Sequence, residues 1–339
     1  RLEALPAEYS MPAVMPACFP DSGKEVVLDQ GLCGSCWAFA ASSALMTNIC
    51  MNGANAGSLF TTTDRYEISV QRMMVCNSYQ YGCEGGHAPA AHQSFETYKM
   101  AKARDQYYLC GSGSSMNHFE QTPKACSAYP WNSDAATTCE VGKANANWLY
   151  GGAYVAKGEQ DMMQALSNND SLYVMFSVPS NFMSAPAGKV YNNQVGTIMG
   201  AHATACVGYG TQGGVKYWLI QNSWGAEWAD TGYVKFLRGT NFMGIEEIAV
   251  YFQGHAVGDH QPAPLGKVVS AVMEEEHKKA DEEEAQAKED KAIANTGAHG
   301  GFDLADAPTK VLVGAGVGAV ALVLFVRSAC CRSKYKELN

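Results

Sequence analysis

The chain has 339 residues, 47% hydrophobic and 17% charged, with 33 acidic against 24 basic side chains and a formal charge of -9. This composition excludes wholesale disorder and a fibrous repeat, and an acidic chain without a basic stripe argues against nucleic acid as a partner. The length suits a two-lobed domain followed by a tail.

Twelve cysteines are many for a reducing compartment, and their spacing is not that of a zinc finger or ribbon, so a disulfide-permissive lumen is expected. The first residues, Arg1-Leu2-Glu3-Ala4-Leu5-Pro6, lack the apolar run of a signal peptide, as in a processed form. All six tryptophans and ten of the twelve cysteines fall before Phe252. The chemistry is therefore sought in residues 1–252.

The first predicted element is a loop entering a helix. Asp29-Gln30-Gly31-Leu32-Cys33-Gly34-Ser35-Cys36-Trp37-Ala38-Phe39 runs into Ala40-Ala41-Ser42-Ser43-Ala44-Leu45-Met46, a stretch that favours helix. A thiol in a first helical turn meets the positive end of the macrodipole, which stabilises a thiolate. Spacing alone leaves other uses open. Cys33 and Cys36 could form a redox pair, join Cys76 and Cys83 around a metal, or be structural. The glutamine and tryptophan that flank the pair do not belong to the redox pattern, and Cys76 and Cys83 are too far apart for zinc-type spacing. No cofactor and no metal are expected.

Further along, Ala205-Cys206-Val207-Gly208-Tyr209 reads as an apolar strand with Cys206 as a small buried hydrophobe. Asn169-Asp170-Ser171 is a glycosylation sequon. After Phe252 the composition changes. Glu274 and Lys278, Glu275 and Lys279, and Glu284 and Lys288 have helical i,i+4 spacing, as in a solvated stalk, and Asn295 to Pro308 reads as a connector.

Val311 to Val326 is uncharged and lies between Lys310 and Arg327, enough for about 24 Å of helix. Flanking cations that snorkel and local bilayer thinning can accommodate a span of this length. The sequence thus predicts one transmembrane helix over 309–327, after a charged stalk over 253–308. Arg327, Arg332, Lys334 and Lys336 follow the span, which places the tail 328–339 in the cytosol and the rest in the lumen or outside. A single-pass type I membrane protein is expected, in a lysosome-like organelle, a vacuole or the cell surface. Cys330 and Cys331 stand where S-acylation occurs, Gly314 and Gly318 have small-xxx-small spacing, and Tyr335-Lys336-Glu337-Leu338 resembles a tyrosine signal for vesicle-sorting adaptors.

Four segments together resemble the papain family of cysteine proteases. Gln30 to Phe39 is similar to its nucleophile signature, and Gly82-Cys83-Glu84-Gly85-Gly86 to its glycine-rich loop. Gly200-Ala201-His202-Ala203 is similar to its histidine motif, and Asn222-Ser223-Trp224-Gly225, with Trp228 and Gly232-Tyr233, to its asparagine segment. The resemblance spans some 245 residues in the family's order. It is strongest to the cathepsin B branch, through Leu5-Pro6, Cys18, Asn48-Ile49-Cys50, Thr122-Pro123-Lys124-Ala125-Cys126, Leu237-Arg238-Gly239 and Gly244-Ile245-Glu246.

The resemblance implies an α+β, papain-like two-lobed fold over 1–252, with a helical lobe about 19–145 and a β-rich, barrel-like lobe about 146–252. It implies Cys36 as nucleophile, His202 as general base and acid, Asn222 as the group orienting the imidazole, and Gln30 with the Cys36 N–H as oxyanion hole. Gly85, Gly86, Ala201, Trp224 and Ile248 are the implied substrate contacts, with Ile248 in place of an acidic S2 residue and so an apolar preference there. The implied disulfides are Cys18–Cys50, Cys33–Cys83, Cys76–Cys126 and Cys110–Cys139, leaving Cys36 and Cys206 as thiols. Between Cys110 and Cys139 only His118 stands where the branch carries a histidine pair that holds a peptide carboxylate, which favours an endopeptidase over a dipeptide-removing enzyme. Ala229 replaces a usual glycine and Glu84 a usual asparagine. Peptide or protein substrates are expected. The other reading is a catalytically silent papain-like ectodomain that serves as a membrane-bound binding or assembly subunit.

Overall fold

The structure is a computed structural model that describes residues 4–53, 60–61, 64–65, 67–76, 82–111, 148–256 and 267–268. In chain order the elements are β1 (Tyr9–Ser10), α1 (Met11–Val14), α2 (Cys36–Asn52), β2 (Phe60–Thr61), β3 (Asp64–Arg65), α3 (Val70–Cys76) and α4 (Ala88–Gln93). Then come β4 (Trp148–Ala156), α5 (Gly158–Ser167), β5 (Leu172–Pro179), β6 (Val190–Tyr191), β7 (Ile198–Gln212), β8 (Val215–Gln221), β9 (Tyr233–Leu237), β10 (Ala249–Ala256) and β11 (Lys267–Val268). Helices dominate the first part and strands the second, as the α+β reading expects.

One nine-stranded sheet organises the second part, in the order β11-β4-β10-β5-β7-β8-β9-β6, with β1 pairing β7. Its pairs are antiparallel except β6 with β9, which is parallel. At Gly208 an added Cβ would lie 2.4 Å from the Tyr9 carbonyl, so only glycine lets the β1 backbone sit this close to β7. The N-terminal residues are thereby joined to the β-rich part.

Helix α2 is buried from Cys36 to Met51. A helix without a solvent face is expected where core covers it all round, and α2 packs against β5, β7 and β10. Its buried polar side chains are Ser42, Ser43, Thr47 and Asn48, and Asn48 ties the helix to distant segments. Its Nδ2 donates to the Phe252 carbonyl at 2.9 Å and the Ser171 carbonyl at 3.2 Å, and its Oδ1 accepts from the Ser171 N–H at 2.5 Å. Those bonds satisfy a buried amide and fix the rotation of the helix against two strands.

Two features depart from the predicted boundaries. Strand β10 runs through Phe252 to Ala256, with Gln253 opposite Gly152 and Ala256 opposite Trp148, because β4 continues to offer a hydrogen-bonding edge. Lys267–Val268, placed in the predicted stalk, pairs with Val155 and Tyr154 of β4. Among the described residues no helix is long and apolar enough to cross a membrane. The predicted span 309–327, the tail, and His118 lie outside the described residues, as does the stalk apart from those strand residues.

The sequon is folded into the junction of β1, α2 and α5. Asn169 has φ 66°, accepts a hydrogen bond from the Tyr9 hydroxyl through its Oδ1, and is followed by fully buried Asp170 and Ser171. Ser171 Oγ donates to the Cys206 carbonyl at 3.2 Å.

Candidate active site

The loop before α2 is held from two sides. On one, Asp29 bridges to Trp224, the Gln30 N–H donates to the Ser223 carbonyl at 2.9 Å, and the Gly225 N–H donates to the Leu28 carbonyl at 3.1 Å. On the other, the Gly34 N–H donates to the Cys83 carbonyl at 2.9 Å, and Cys33 is bonded to Cys83. This brings the nucleophile loop, the glycine-rich loop and the asparagine segment to one place and sets Cys36 as the first residue of α2.

Gln30 is 2% exposed, and its amide orientation is fixed by its neighbours. The Cys33 carbonyl can only accept, so the atom 2.9 Å from it is Nε2, while Oε1 takes a 2.8 Å bond from the Ser223 hydroxyl. A primary amide carries two N–H groups, so Nε2 is a double donor.

His202 stands on β7 opposite Phe176 of β5 and is 1% exposed. One ring nitrogen, Nε2, lies 2.7 Å from Asn222 Oδ1. That oxygen also accepts the Ser223 N–H at 2.8 Å, which identifies it as the carbonyl end of the amide. Nε2 therefore carries a proton, and in a neutral ring Nδ1 is the basic nitrogen. Trp224 stacks over the imidazole with centroids 4.7 Å apart and planes 28° from parallel. Trp228 and Phe182 back Trp224 at 5.1 and 5.7 Å, and the Trp228 indole N–H donates to the Met183 carbonyl at 3.0 Å. A hydrogen bond roofed by indole is shielded from competing water.

The expected substrate contacts divide. Gly85 and Gly86 are buried beside the nucleophile helix, and a Cβ on Gly86 would sit 2.4 Å from the Trp37 ring. The Trp37 indole donates to the Gly82 carbonyl at 3.2 Å, so this loop and α2 are interlocked. Ala201 precedes His202 on β7, opposite Ser177. Ile248 is partly buried against the core just before β10. The sequence did not single out Tyr108, which contacts the nucleophile loop through the Gln30 carbonyl and Ser35 Oγ, nor the roles of Ser35 and Ser223. Each is an ordinary polar residue whose contribution depends on neighbours distant in sequence.

The disulfides Cys18–Cys50 and Cys33–Cys83 form as the resemblance implies. Cys76 and Cys110 are also disulfide-bonded, and their implied partners Cys126 and Cys139 lie outside the described residues. Cys36 differs from the expectation of a thiol. It too is disulfide-bonded. An oxidised sulfur has no lone thiolate to attack with, so chemistry at Cys36 begins with its reduction. Cys206 is the free cysteine among the described residues; burial pushes its thiol up to about 12, and it is inert packing. The sulfurs of Cys33, Cys83 and Cys110 lie within 4.8 Å of one another, but bridged sulfurs are not metal ligands.

Comparison with known proteins agrees with this geometry. A family model described as "Papain family cysteine protease" matches residues 21–253. The chain is 31% identical over 248 residues to "Cathepsin B-like CP2" of Giardia intestinalis, covering 72% of this chain and 73% of that protein. It is 28% identical over 268 residues to "Cathepsin B-like cysteine proteinase 5" of Caenorhabditis elegans, covering 73% and 74%. Among solved structures, proCathepsin B S9 from Trypanosoma congolense is similar with a TM-score of 0.58 at 22% identity, covering 77% of this chain and 80% of that one. The bromelain protease from Ananas comosus, solved in complex with the E64 inhibitor, has a TM-score of 0.54 at 23% identity, covering 73% and 99%. At these identities the structural neighbours speak for the fold alone.

Proposed function

The chain belongs to the papain family of cysteine proteases, similar to its cathepsin B-like members, and on that premise we propose that it is a membrane-anchored endopeptidase acting through a thioester acyl-enzyme. The observation that carries the chemistry is the His202–Asn222 hydrogen bond under Trp224, tied through Ser223 to Gln30 in the loop that ends at Cys36. Reduced Cys36 attacks the scissile carbonyl, and its proton resides on His202. The carbonyl oxygen becomes an oxyanion facing Gln30 Nε2 and the Cys36 N–H. Collapse expels the amine, which takes the proton from His202 Nδ1. Water then attacks the thioester, giving up a proton to His202, and the acid leaves as Cys36 is regenerated. Asn222 holds the ring without adding a charge, so His202 is free to cycle its proton.

Endopeptidase action is supported by the single His118 between Cys110 and Cys139, and an apolar S2 preference by Ile248. Anchoring rests on the uncharged run Val311 to Val326 followed by basic residues, which supports a type I orientation with the catalytic part in the lumen of an acidic organelle or outside the cell. Tyr335 to Leu338 would then be available to a vesicle-sorting adaptor.

The test is titration of the full chain, after mild reduction, with an epoxysuccinyl inhibitor of the E64 class, with the adduct located by mass spectrometry and Cys36→Ser as control. One adduct on Cys36 with parallel loss of peptide hydrolysis is expected. A folded, reduced chain that forms no adduct and cleaves no peptide would instead support the silent-ectodomain reading.

A further inference from the structure

Tyr108 belongs to none of the four motifs, yet its hydroxyl lies at the centre of the nucleophile loop. It is 2.8 Å from the Gln30 carbonyl and 2.8 Å from Ser35 Oγ, and all three residues are buried, with exposures of 6% for Tyr108, 2% for Gln30 and 0% for Ser35. A phenol has one proton, and a carbonyl can only accept. Tyr108 therefore donates to Gln30, and the Ser35 hydroxyl donates to Tyr108. The Tyr108 ring packs edge-on against Phe39, one turn into α2, with centroids 4.9 Å apart.

This network changes what Ser35 does. A serine at a helix N-cap ordinarily accepts a hydrogen bond from an N–H of the first turn. Ser35 is the N-cap of α2 and makes no such bond, because its hydroxyl is oriented toward Tyr108. The start of α2 is thus left without a side-chain cap at the end where Cys36 stands.

We propose that Tyr108 is a positioning residue for the oxyanion hole: it pins the Gln30 carbonyl and keeps the Ser35 hydroxyl from occupying the helix end that faces the developing oxyanion. The proposal rests on the peptidase reading above. In the absence of the phenol hydroxyl, the Gln30 carbonyl loses a buried donor and Ser35 is released to cap. Both changes displace the two oxyanion donors, Gln30 Nε2 and the Cys36 N–H, while leaving the sulfur in place.

The experiment compares the reduced full chain with Tyr108→Phe, Ser35→Ala and the double variant. Tyr108→Phe is expected to lower kcat about tenfold, below the roughly hundredfold cost of a misplacement of about 1 Å, with KM within about twofold. The inhibition constant of a peptide aldehyde, whose hemithioacetal uses the same hole, should rise by a similar factor. Alkylation of Cys36 by iodoacetamide, which forms no oxyanion, should keep its rate and pH profile. Ser35→Ala should show a smaller loss, and the double variant should be no worse than Tyr108→Phe. Wild-type kcat and aldehyde affinity in Tyr108→Phe would overturn the proposal. So would a loss of hydrolysis matched by equal losses in alkylation and melting temperature, which is the mark of a purely structural brace. The peptidase reading has its own control: hydrolysis in the wild type that survives in Cys36→Ala, or is absent from both, defeats that reading and this proposal with it, whereas hydrolysis abolished by Cys36→Ala leaves Tyr108 to be judged separately.

Discussion

The Ser223 hydroxyl donates to Gln30 Oε1 at 2.8 Å across 193 positions of sequence. Because Ser223 also gives its N–H to Asn222 Oδ1, one residue sets the orientation of both Gln30 and the asparagine that holds the imidazole. Ser223→Ala leaves a buried amide oxygen without this donor and lets Gln30 turn. Steady-state kinetics should show kcat reduced about tenfold, less than the roughly hundredfold or more expected on removing an oxyanion donor outright. Equal losses in Ser223→Ala and Gln30→Ala would contradict this ranking.

Gly86 is held against α2 by space alone. A methyl there would meet the Trp37 ring at 2.4 Å, and Trp37 is fully buried with its indole N–H committed to Gly82. Neither side can yield cheaply. Gly86→Ala should destabilise the fold by about 1–3 kcal/mol, the usual cost of overpacking, seen as a lower urea midpoint at unchanged slope. Unchanged stability would mean that the loop moves away from Trp37 freely.

The residues proposed for catalysis stood out in the sequence because short local motifs carry them: a loop entering a helix, a histidine on a strand, an asparagine just after one. What holds them was not legible, since Tyr108, Ser35 and Ser223 act through pairings fixed only once distant segments meet. The same reason explains the strand boundary after Phe252. Gln253 and Gly254 read as the start of a polar stretch, but the edge of β4 captures them, and Gly254 packs so closely that a Cβ would touch Leu45 and Ile49. The oxidation state of Cys36 was likewise illegible, because a count of cysteines shows neither which sulfurs meet nor whether a mechanism's thiol is bridged in a given state.

Ala229, which stands where a glycine is usual, pays for that replacement in its backbone. Its φ is 46°, in the left-handed region, where a Cβ crowds the carbonyl at a cost of about 1–2 kcal/mol. Glycine removes that strain but gains freedom in the unfolded chain, which returns about 0.4–1 kcal/mol. Ala229→Gly should therefore stabilise the protein by roughly 0.5–1 kcal/mol, raising the denaturation midpoint without altering KM. A lower midpoint would show that the turn holds alanine without strain.

Asn48 is the residue of α2 that bonds both Ser171 and Phe252, and its removal orphans the Ser171 N–H while taking a donor from two carbonyls. Asn48→Ala should cost about 2–4 kcal/mol, combining an unsatisfied buried donor with a small cavity. Hydrogen exchange offers a sharper readout than the midpoint: protection at Ser171 should fall well before that of β8, which does not contact Asn48 in this network.

Asp170 ties stability to pH. Its carboxyl is fully buried, with Oδ2 accepting from Asn168 at 3.1 Å and Oδ1 without a hydrogen-bond partner among the described residues. Burial raises its pKa from 3.8 to about 6, against the smaller opposing pull of the Asn168 and Gln253 amides. Between those values the folded chain holds a proton that the unfolded chain has released, so stability falls as pH rises through this window and stays low above it. A shift of this size corresponds to a penalty on the order of 3 kcal/mol at neutral pH, absent below the unfolded value. Asp170→Asn mimics the protonated acid and cannot titrate. Urea denaturation at about pH 3.5, 5 and 7 should show the variant matching wild type at the lowest pH and exceeding it increasingly toward neutrality. Parallel pH curves for the two proteins would assign the pH dependence to other groups. The expected divergence would mean that Asp170 weakens the fold less in acid than at neutrality, which suits the acidic lumen proposed for it.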